Sequence, residues 1–209
     1  MIAATVIIFA KAPEPGKVKT RLTTQLSPEQ AAQIHERLVL HTLNTISLVP
    51  GVKAELWCAP TSEHPFFRYC EENFPISLRE QQGEDLGQRM YQAMSDVLDR
   101  SQQCLIIGTD CPQLETKHIL NTIEQLKAGK DCVITPAKDG GYVMLGLKKT
   151  DAHLFSNISW GEDSVLKETL IRLNNLDWDY SKQEALNDID YPEDLALLKH
   201  IPLPEPLDL

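Results

Sequence analysis

Lys11, Lys17, Lys19 and Arg21 place four cations within eleven residues of a 209-residue chain whose net charge is -10. With 20 Lys and Arg in all, an even spread would put about one there. The turn that carries them, Lys11-Ala-Pro-Glu-Pro-Gly-Lys-Val-Lys-Thr-Arg21, follows directly on an apolar run, Thr5–Ala10. Ammonium groups and a forked guanidinium neutralise a di- or triphosphate, and a glycine lets the backbone approach it. Lys11, Lys19 and Arg21 are assigned to the phosphates, Gly16 to the tight backbone, and Lys17 to solvent. The competing reading is a solvated basic loop.

Three acidic groups sit where strands are expected to end. Asp110, in Leu105-Ile-Ile-Gly-Thr-Asp-Cys-Pro112, is a carboxylate released at the end of a buried strand. Magnesium takes few protein carboxylates and fills its other positions from phosphate and water, so Asp110 suits it. Its alternative is a helix cap or turn closure before Thr116. Asp139-Gly140-Gly141 is the strongest hairpin signal in the chain, and its glycines also allow close approach of a substrate. Asp188 and Asp190 project to one side if their segment is extended. Asp190 is also a candidate cap for a helix led by Pro192. A dication, Mg²⁺ or Mn²⁺, held between Asp110 and one of that pair would complete a metal–phosphate site.

The elements that must position these groups alternate. Apolar runs at Thr5–Ala10, Ala54–Ala59, Ile76–Arg79, Cys104–Gly108, Asp131–Thr135, Tyr142–Leu147 and Leu186–Ile189 read as strands. Amphipathic runs at Pro28–Leu48, Glu63–Asn73, Leu86–Arg100, Thr116–Ala128, Asp163–Asn174 and Pro192–Lys199 read as helices, with Ser27 as a cap. This order predicts an α/β fold: a three-layer sandwich with a mostly parallel central sheet. Ligands in such sheets sit outside the carboxyl ends of the strands, where the charged turns fall. Residues 1–200 read as one domain and 201–209 as a proline-rich tail.

Bulk composition narrows the partners. A net charge of -10 argues against non-specific nucleic-acid binding and against docking on anionic lipid. No stretch approaches the roughly 18 apolar residues of a membrane span, and the apolar N-terminus lacks the basic start of a signal peptide. Five cysteines without a C-x-x-C pair indicate neither a disulfide framework nor zinc, which makes a cytoplasmic chain the expectation. The six histidines show no ligand spacing. Trp57, Trp160 and Trp178 read as packing residues, with Trp160 beside Gly161 a candidate wall of an acceptor pocket.

Together these motifs resemble the nucleotide-diphospho-sugar transferase superfamily with the GT-A fold. More closely, the chain resembles the bacterial glycosyltransferase A or selenodomain-associated transferase group, akin to 2-phospho-L-lactate guanylyltransferase and molybdenum-cofactor nucleotidyltransferases. The matching stretches are 9–22, 82–90, 108–114, 136–142, 155–161 and 188–195. The resemblance implies that the first loop, Ala12 and Pro13 included, wraps the nucleotide phosphates, with Lys19 and Arg21 as functional cations. It implies that Asp110 binds metal with Asp188 or Asp190 as partner, and that Gly83 and Gly87 approach the base or ribose with Arg89 nearby. Gly140, Gly141, Trp160 and Gly161 fall on the acceptor side. Two positions depart from the family pattern: Glu162, where Thr or Ser follows Trp-Gly, and Tyr191, where Thr is frequent.

The expected activity is metal-dependent nucleotidyl transfer from a nucleoside triphosphate to a small phosphorylated acceptor, with release of pyrophosphate. Glycosyl transfer from a nucleotide-sugar, with Asp139 as general base, is the alternative within enzymes. A nucleotide-binding protein without turnover is the alternative outside them.

Overall fold

β-Branched and aromatic residues at Thr5–Ala10 supply apolar side chains to both faces of a strand. A computed structural model of the chain describes residues 4–201, and there this run forms β1 (Ala4–Lys11). Val6, Ile8 and Ala10 enter one core cluster and Ile7 the other, so β1 is covered on both sides. The later strands are β2 (Val52–Ala59), β3 (Ile76–Glu80), β4 (Cys104–Gly108), β5 (Cys132–Pro136), β6 (Tyr142–Leu147) and β7 (Tyr180–Lys182). They form one sheet in the order β3-β2-β1-β4-β6-β5-β7. β6 pairs antiparallel with β4 and β5, and the other pairings are parallel. Strand order therefore reverses between β1 and β4, and a crevice opens beyond their carboxyl ends.

Five α-helices cover the sheet: α1 (Pro28–Ser47), α2 (Pro65–Asn73), α3 (Leu86–Leu98), α4 (Thr116–Lys127) and α5 (Val165–Asn175). Val39 and Leu43 of α1, Phe66 and Phe67 of α2, and Ile119 and Ile123 of α4 pack on one face. Met90 and Met94 of α3 and Leu173 of α5 pack on the other. The expected three-layer sandwich is the fold. Helix α1 starts where Ser27 accepts from Gln30 N–H at 3.2 Å while Gln30 Oε1 accepts from Ser27 N–H at 2.9 Å. Such a reciprocal cap is worth about 1 kcal/mol.

Two elements differ from expectation. The seventh strand lies at Tyr180–Lys182, not at Leu186–Ile189, where Leu186 makes a single bridge to Ala137. Tyr180-Ser-Lys182 is short and mostly polar, so it carries no apolar period to read. The helix expected at Pro192–Lys199 is a 3₁₀ segment, Pro192–His200, and its cap is Tyr191, not Asp190. Asp194 causes this: its Oδ2 accepts from both Asp190 N–H and Tyr191 N–H and tightens the entry.

A third, smaller cluster joins Leu22, Ile34, Leu38, Ile189 and Ile201. It fastens the basic turn, which ends in a 3₁₀ segment at Thr20–Thr24, to the last part of the chain. Each such apolar side chain contributes roughly 1.5–3 kcal/mol on burial. Ile201, expected to begin the tail, is thus anchored, and residues 202–209 lie outside the described residues.

A buried carboxylate ties β2 to the end of α3. Both oxygens of Glu55, which is fully buried, accept from Arg100 at 2.7 and 2.8 Å, and Lys53 Nζ lies 2.9 Å away. Burial pushes the Glu55 carboxyl up, but Arg100 and Lys53 outweigh it and bring it down to about 2. All five cysteines are buried free thiols. Among the described residues, no helix is long and apolar enough to cross a membrane.

Candidate functional site

β1 delivers Lys11 and β4 leads through Gly108 and Thr109 to Asp110, so the adjacent carboxyl ends of these strands open one cleft. Two backbone links bring the last segment to it. Ile189 N–H donates to Asp110 O at 2.9 Å, and Leu186 N–H donates to Pro136 O at 2.9 Å. Asp188 and Asp190 are thereby set against Asp110 on one side and the β5–β6 hairpin on the other. That hairpin turns at Asp139, whose Oδ1 accepts from Gly141 N–H at 2.8 Å.

Lys19 lies at the centre. Its backbone is left-handed, with φ at 47°, a conformation that costs of order 1 kcal/mol or more in a residue with a Cβ. The twist turns the side chain inward, where it is 4% exposed. Nζ lies 2.6 Å from Asp110 Oδ1 and 3.1 Å from Asp190 Oδ1, and donates to Ile189 O at 2.5 Å. Burial alone would lower the Lys19 ammonium, but Asp110 and Asp190 outweigh it and hold the group above its ordinary value. Burial likewise raises the Asp110 carboxyl, and neighbouring charge, that of Lys19 foremost, more than reverses it. Arg21 donates to Asp190 Oδ2 at 2.9 Å and stacks its guanidinium over Tyr191, 5.2 Å from the ring centre.

His35 was given no role from sequence, yet it faces this centre from α1. Nε2 lies 3.0 Å from Lys11 O, and a carbonyl only accepts, so Nε2 carries the proton. Nδ1 then presents its lone pair 4.0 Å from Asp110 Oδ1. Burial lowers the ring's pKa despite the nearby carboxylate, so a neutral imidazole is the resting form at pH 7. The readable signal was a polar residue on the apolar stripe of α1, between Ala31 and Leu38, which needs a partner when buried. Gln81 was also missed: it lines the cleft and donates to Trp57 O at 2.8 Å.

The cleft has two lobes that share Phe9, Leu86, Gly108, Asp110 and Asp190. The basic lobe, about 390 Å³, is lined by Lys11, Lys17, Lys19 and Arg21 among others. Lys17, expected in solvent alone, belongs to its rim. Ala12, Pro13 and Gly16 shape the turn behind that lobe without lining it. The second lobe, about 300 Å³, is lined by Asp139, Gly141, Tyr142, Trp160, Gly161, Glu162 and Asp188 on its outer side.

Gly83, Gly87 and Arg89, expected to approach the base or ribose, line neither lobe of the cleft. Arg89 Nε donates to Gly83 O at 3.0 Å. Gly87, in the first turn of α3, lies under Trp160: a Cβ there would meet Trp160 Nε1 and Phe155 O at 2.5 Å. Gly140, at φ 96°, is pressed against the Asp163 backbone, where a Cβ would meet the carbonyl oxygen at 2.1 Å. Both glycines thus seat the 155–163 loop that walls the second lobe. Tyr191 belongs with Arg21 on the basic side.

Carboxylate oxygens of Asp139, Asp188 and Asp190 lie within 4.8 Å of one another. Asp110 stands outside this trio, engaged by Lys19. Burial foremost, then Asp139 and Asp190, push the Asp188 carboxyl up to about 6. Hard oxygen donors at this spacing fit Mg²⁺ or Mn²⁺ after a small closure, since opposite ligands of a magnesium ion stand about 4 Å apart.

A family model described as "Uncharacterized protein conserved in bacteria (DUF2064)" matches residues 42–162, more than half of the chain. The chain belongs to that family. No curated protein matches it. Among solved structures, a Desulfovibrio desulfuricans G20 protein, provisionally named a nucleotide-diphospho-sugar transferase, superposes with a TM-score of 0.87 at 28% identity. The match covers 96% of this chain and 87% of that one. CMP:2-keto-3-deoxy-manno-octonic acid synthetase, complexed with CTP, matches with a TM-score of 0.58 at 12% identity over 94% and 96% of the chains. A Mycobacterium tuberculosis H37Rv protein in complex with manganese matches with a TM-score of 0.58 at 13% identity over 95% and 99%. The DUF2064 chain therefore has the nucleotide-diphospho-sugar transferase fold.

Proposed function

We propose that this chain is a divalent-metal-dependent transferase that takes a nucleoside triphosphate and passes its nucleotidyl group to a small acceptor, releasing pyrophosphate. One observation carries this reading: Lys19 and Arg21 from the basic turn meet Asp110 and Asp190 in a single cleft at the strand-order reversal. The polyphosphate occupies the basic lobe, where Lys11, Lys17 and Arg21 neutralise it and Lys19 links it to the acidic trio. Phosphoryl chemistry asks little covalent work of a protein; positioning and charge neutralisation carry it. Mg²⁺ or Mn²⁺, held by Asp139, Asp188 and Asp190, supplies Lewis-acid charge neutralisation when bound. The CTP complex and the manganese complex among proteins of the same fold support both ligands.

Glycosyl transfer from a nucleotide-sugar is the second reading, favoured by the name of the Desulfovibrio protein. Released product separates them: pyrophosphate for nucleotidyl transfer, a nucleoside diphosphate for glycosyl transfer. Thermal shift against nucleoside triphosphates and nucleotide-sugars, with and without Mg²⁺ or Mn²⁺, tests the shared part. A donor at a hundred times its dissociation constant adds about 2.7 kcal/mol. Absence of any metal-dependent shift across the panel would remove both readings.

A further inference from the structure

The two lobes of the cleft differ in charge, and that difference bears on the acceptor. Cations line the basic lobe. The second lobe carries Asp110, Asp139, Glu162, Asp188 and Asp190, and among the described residues lining it there is no Lys, Arg or His. Phe9, Leu86, Met90, Tyr142, Trp160 and Val165 form its apolar wall. From the basic side, Lys19 and Arg21 answer Asp110 and Asp190. Five carboxylates thus line a lobe with no cationic side chain of its own, and a triphosphate next door adds further negative charge.

Acceptor chemistry divides on this point. An anionic phosphate oxygen attacks phosphorus without losing a proton, but it needs cations to bind. A hydroxyl needs no cation, but it needs a base for its proton. The second lobe provides carboxylates and lacks cations. Resting on the reading of the site as a nucleotidyl transferase, we infer that the acceptor is a small uncharged alcohol or sugar, presenting one hydroxyl and a face of C–H groups. The phosphorylated acceptor expected from the sequence finds no cationic side chain among the residues that line this lobe. In the reaction, the acceptor oxygen bonds to the α-phosphorus and the bond from that phosphorus to the pyrophosphate bridging oxygen breaks. Pyrophosphate leaves with the electron pair, and the hydroxyl proton passes to a carboxylate of the lobe. At about 300 Å³ the lobe is at the small end of ligand sites, which suits an acceptor of one ring or less.

Saturation-transfer NMR on the full chain with inorganic pyrophosphate and Mg²⁺ tests this with matched probes: glycerol against glycerol 3-phosphate, and glucose against glucose 1-phosphate. The neutral member of each pair is expected to bind at least about tenfold more tightly, because like charge is costly in a confined site. That binding should vanish in Trp160→Ala, and Glu162→Lys, at an exposed position, should narrow the gap. Phosphate esters binding as well as the alcohols, or neither class binding in a Trp160-dependent way, would overturn the inference. Failure of pyrophosphate and Mg²⁺ to raise the melting temperature is a separate result, and it would take down the reading of the basic lobe itself.

Discussion

Asp110 and Asp190 share one ammonium: Lys19 Nζ stands 2.6 Å from Oδ1 of the first and 3.1 Å from Oδ1 of the second. Two carboxylates from distant parts of the chain are thereby held at one point on the floor of the cleft. The link joins the basic turn to the acidic side, so the two halves of the proposed site cannot be perturbed separately at this residue.

Removing either cation should cripple turnover. Arg21→Ala and Lys19→Ala are each expected to lower the rate of pyrophosphate release by at least about a hundredfold, as for loss of one preorganised charge donor. Arg21 is half exposed, so its variant should keep the wild-type melting temperature, which separates chemistry from folding. Near-normal turnover in both would refute the role given to the basic turn.

Metal binding should depend on Asp188 and on pH. Asp188→Asn is expected to weaken Mn²⁺ binding at least about tenfold, measured by electron paramagnetic resonance of the free ion. A carboxyl raised to about 6 is protonated below that pH and does not ligate, so wild-type affinity should climb as pH rises through about 6. Equal affinity at pH 5 and pH 7.5 would contradict this.

Gly87→Ala should act on the acceptor alone. The added methyl meets Trp160 Nε1 and Phe155 O and forces the 155–163 loop outward, an overpacking that costs about 1–3 kcal/mol. The expected signature is a raised acceptor KM with nucleotide affinity unchanged, accompanied by a shift in tryptophan emission. A change confined to nucleotide affinity would return Gly87 to the base or ribose subsite.

Arg100→Met should destabilise the fold by about 3–5 kcal/mol, because it strips a buried carboxylate of its bidentate partner. Glu55 titrates lower folded than unfolded, so its ion pair contributes fully above about pH 4.5, and that contribution fades as pH falls toward 2. Denaturant melts of wild type and variant should therefore converge in acid. A gap that stays constant from pH 7 to pH 3 would show that Glu55 is not the cause.

Much of the architecture was legible because its signals are local. The first six strands and the first five helices announce themselves through apolar periods and caps such as Ser27–Gln30. Elements without a period escaped: Tyr180–Lys182 has too few apolar residues, and the 3₁₀ segment at Pro192–His200 is set by Asp194 holding two backbone N–H groups. At the cleft, Lys19, Arg21, Asp110 and Asp190 were readable as charges at strand ends. The meeting of Asp139 with Asp188 and Asp190 was not, since it follows from the Leu186 bridge to the hairpin.

The amino-acid sequence by itself determined the alternation of strand and helix, the sheet edge at which the charged turns gather and the basic turn that would hold phosphate. Those properties follow from short-range periodicity and from residue charge. Only the tertiary structure decided which carboxylates cluster, that His35 turns toward Asp110, and that one lobe is cationic while the other is acidic. Such convergence depends on hairpins, bridges and crossing segments that bring distant residues within a few ångströms, and no spacing along the chain encodes that distance.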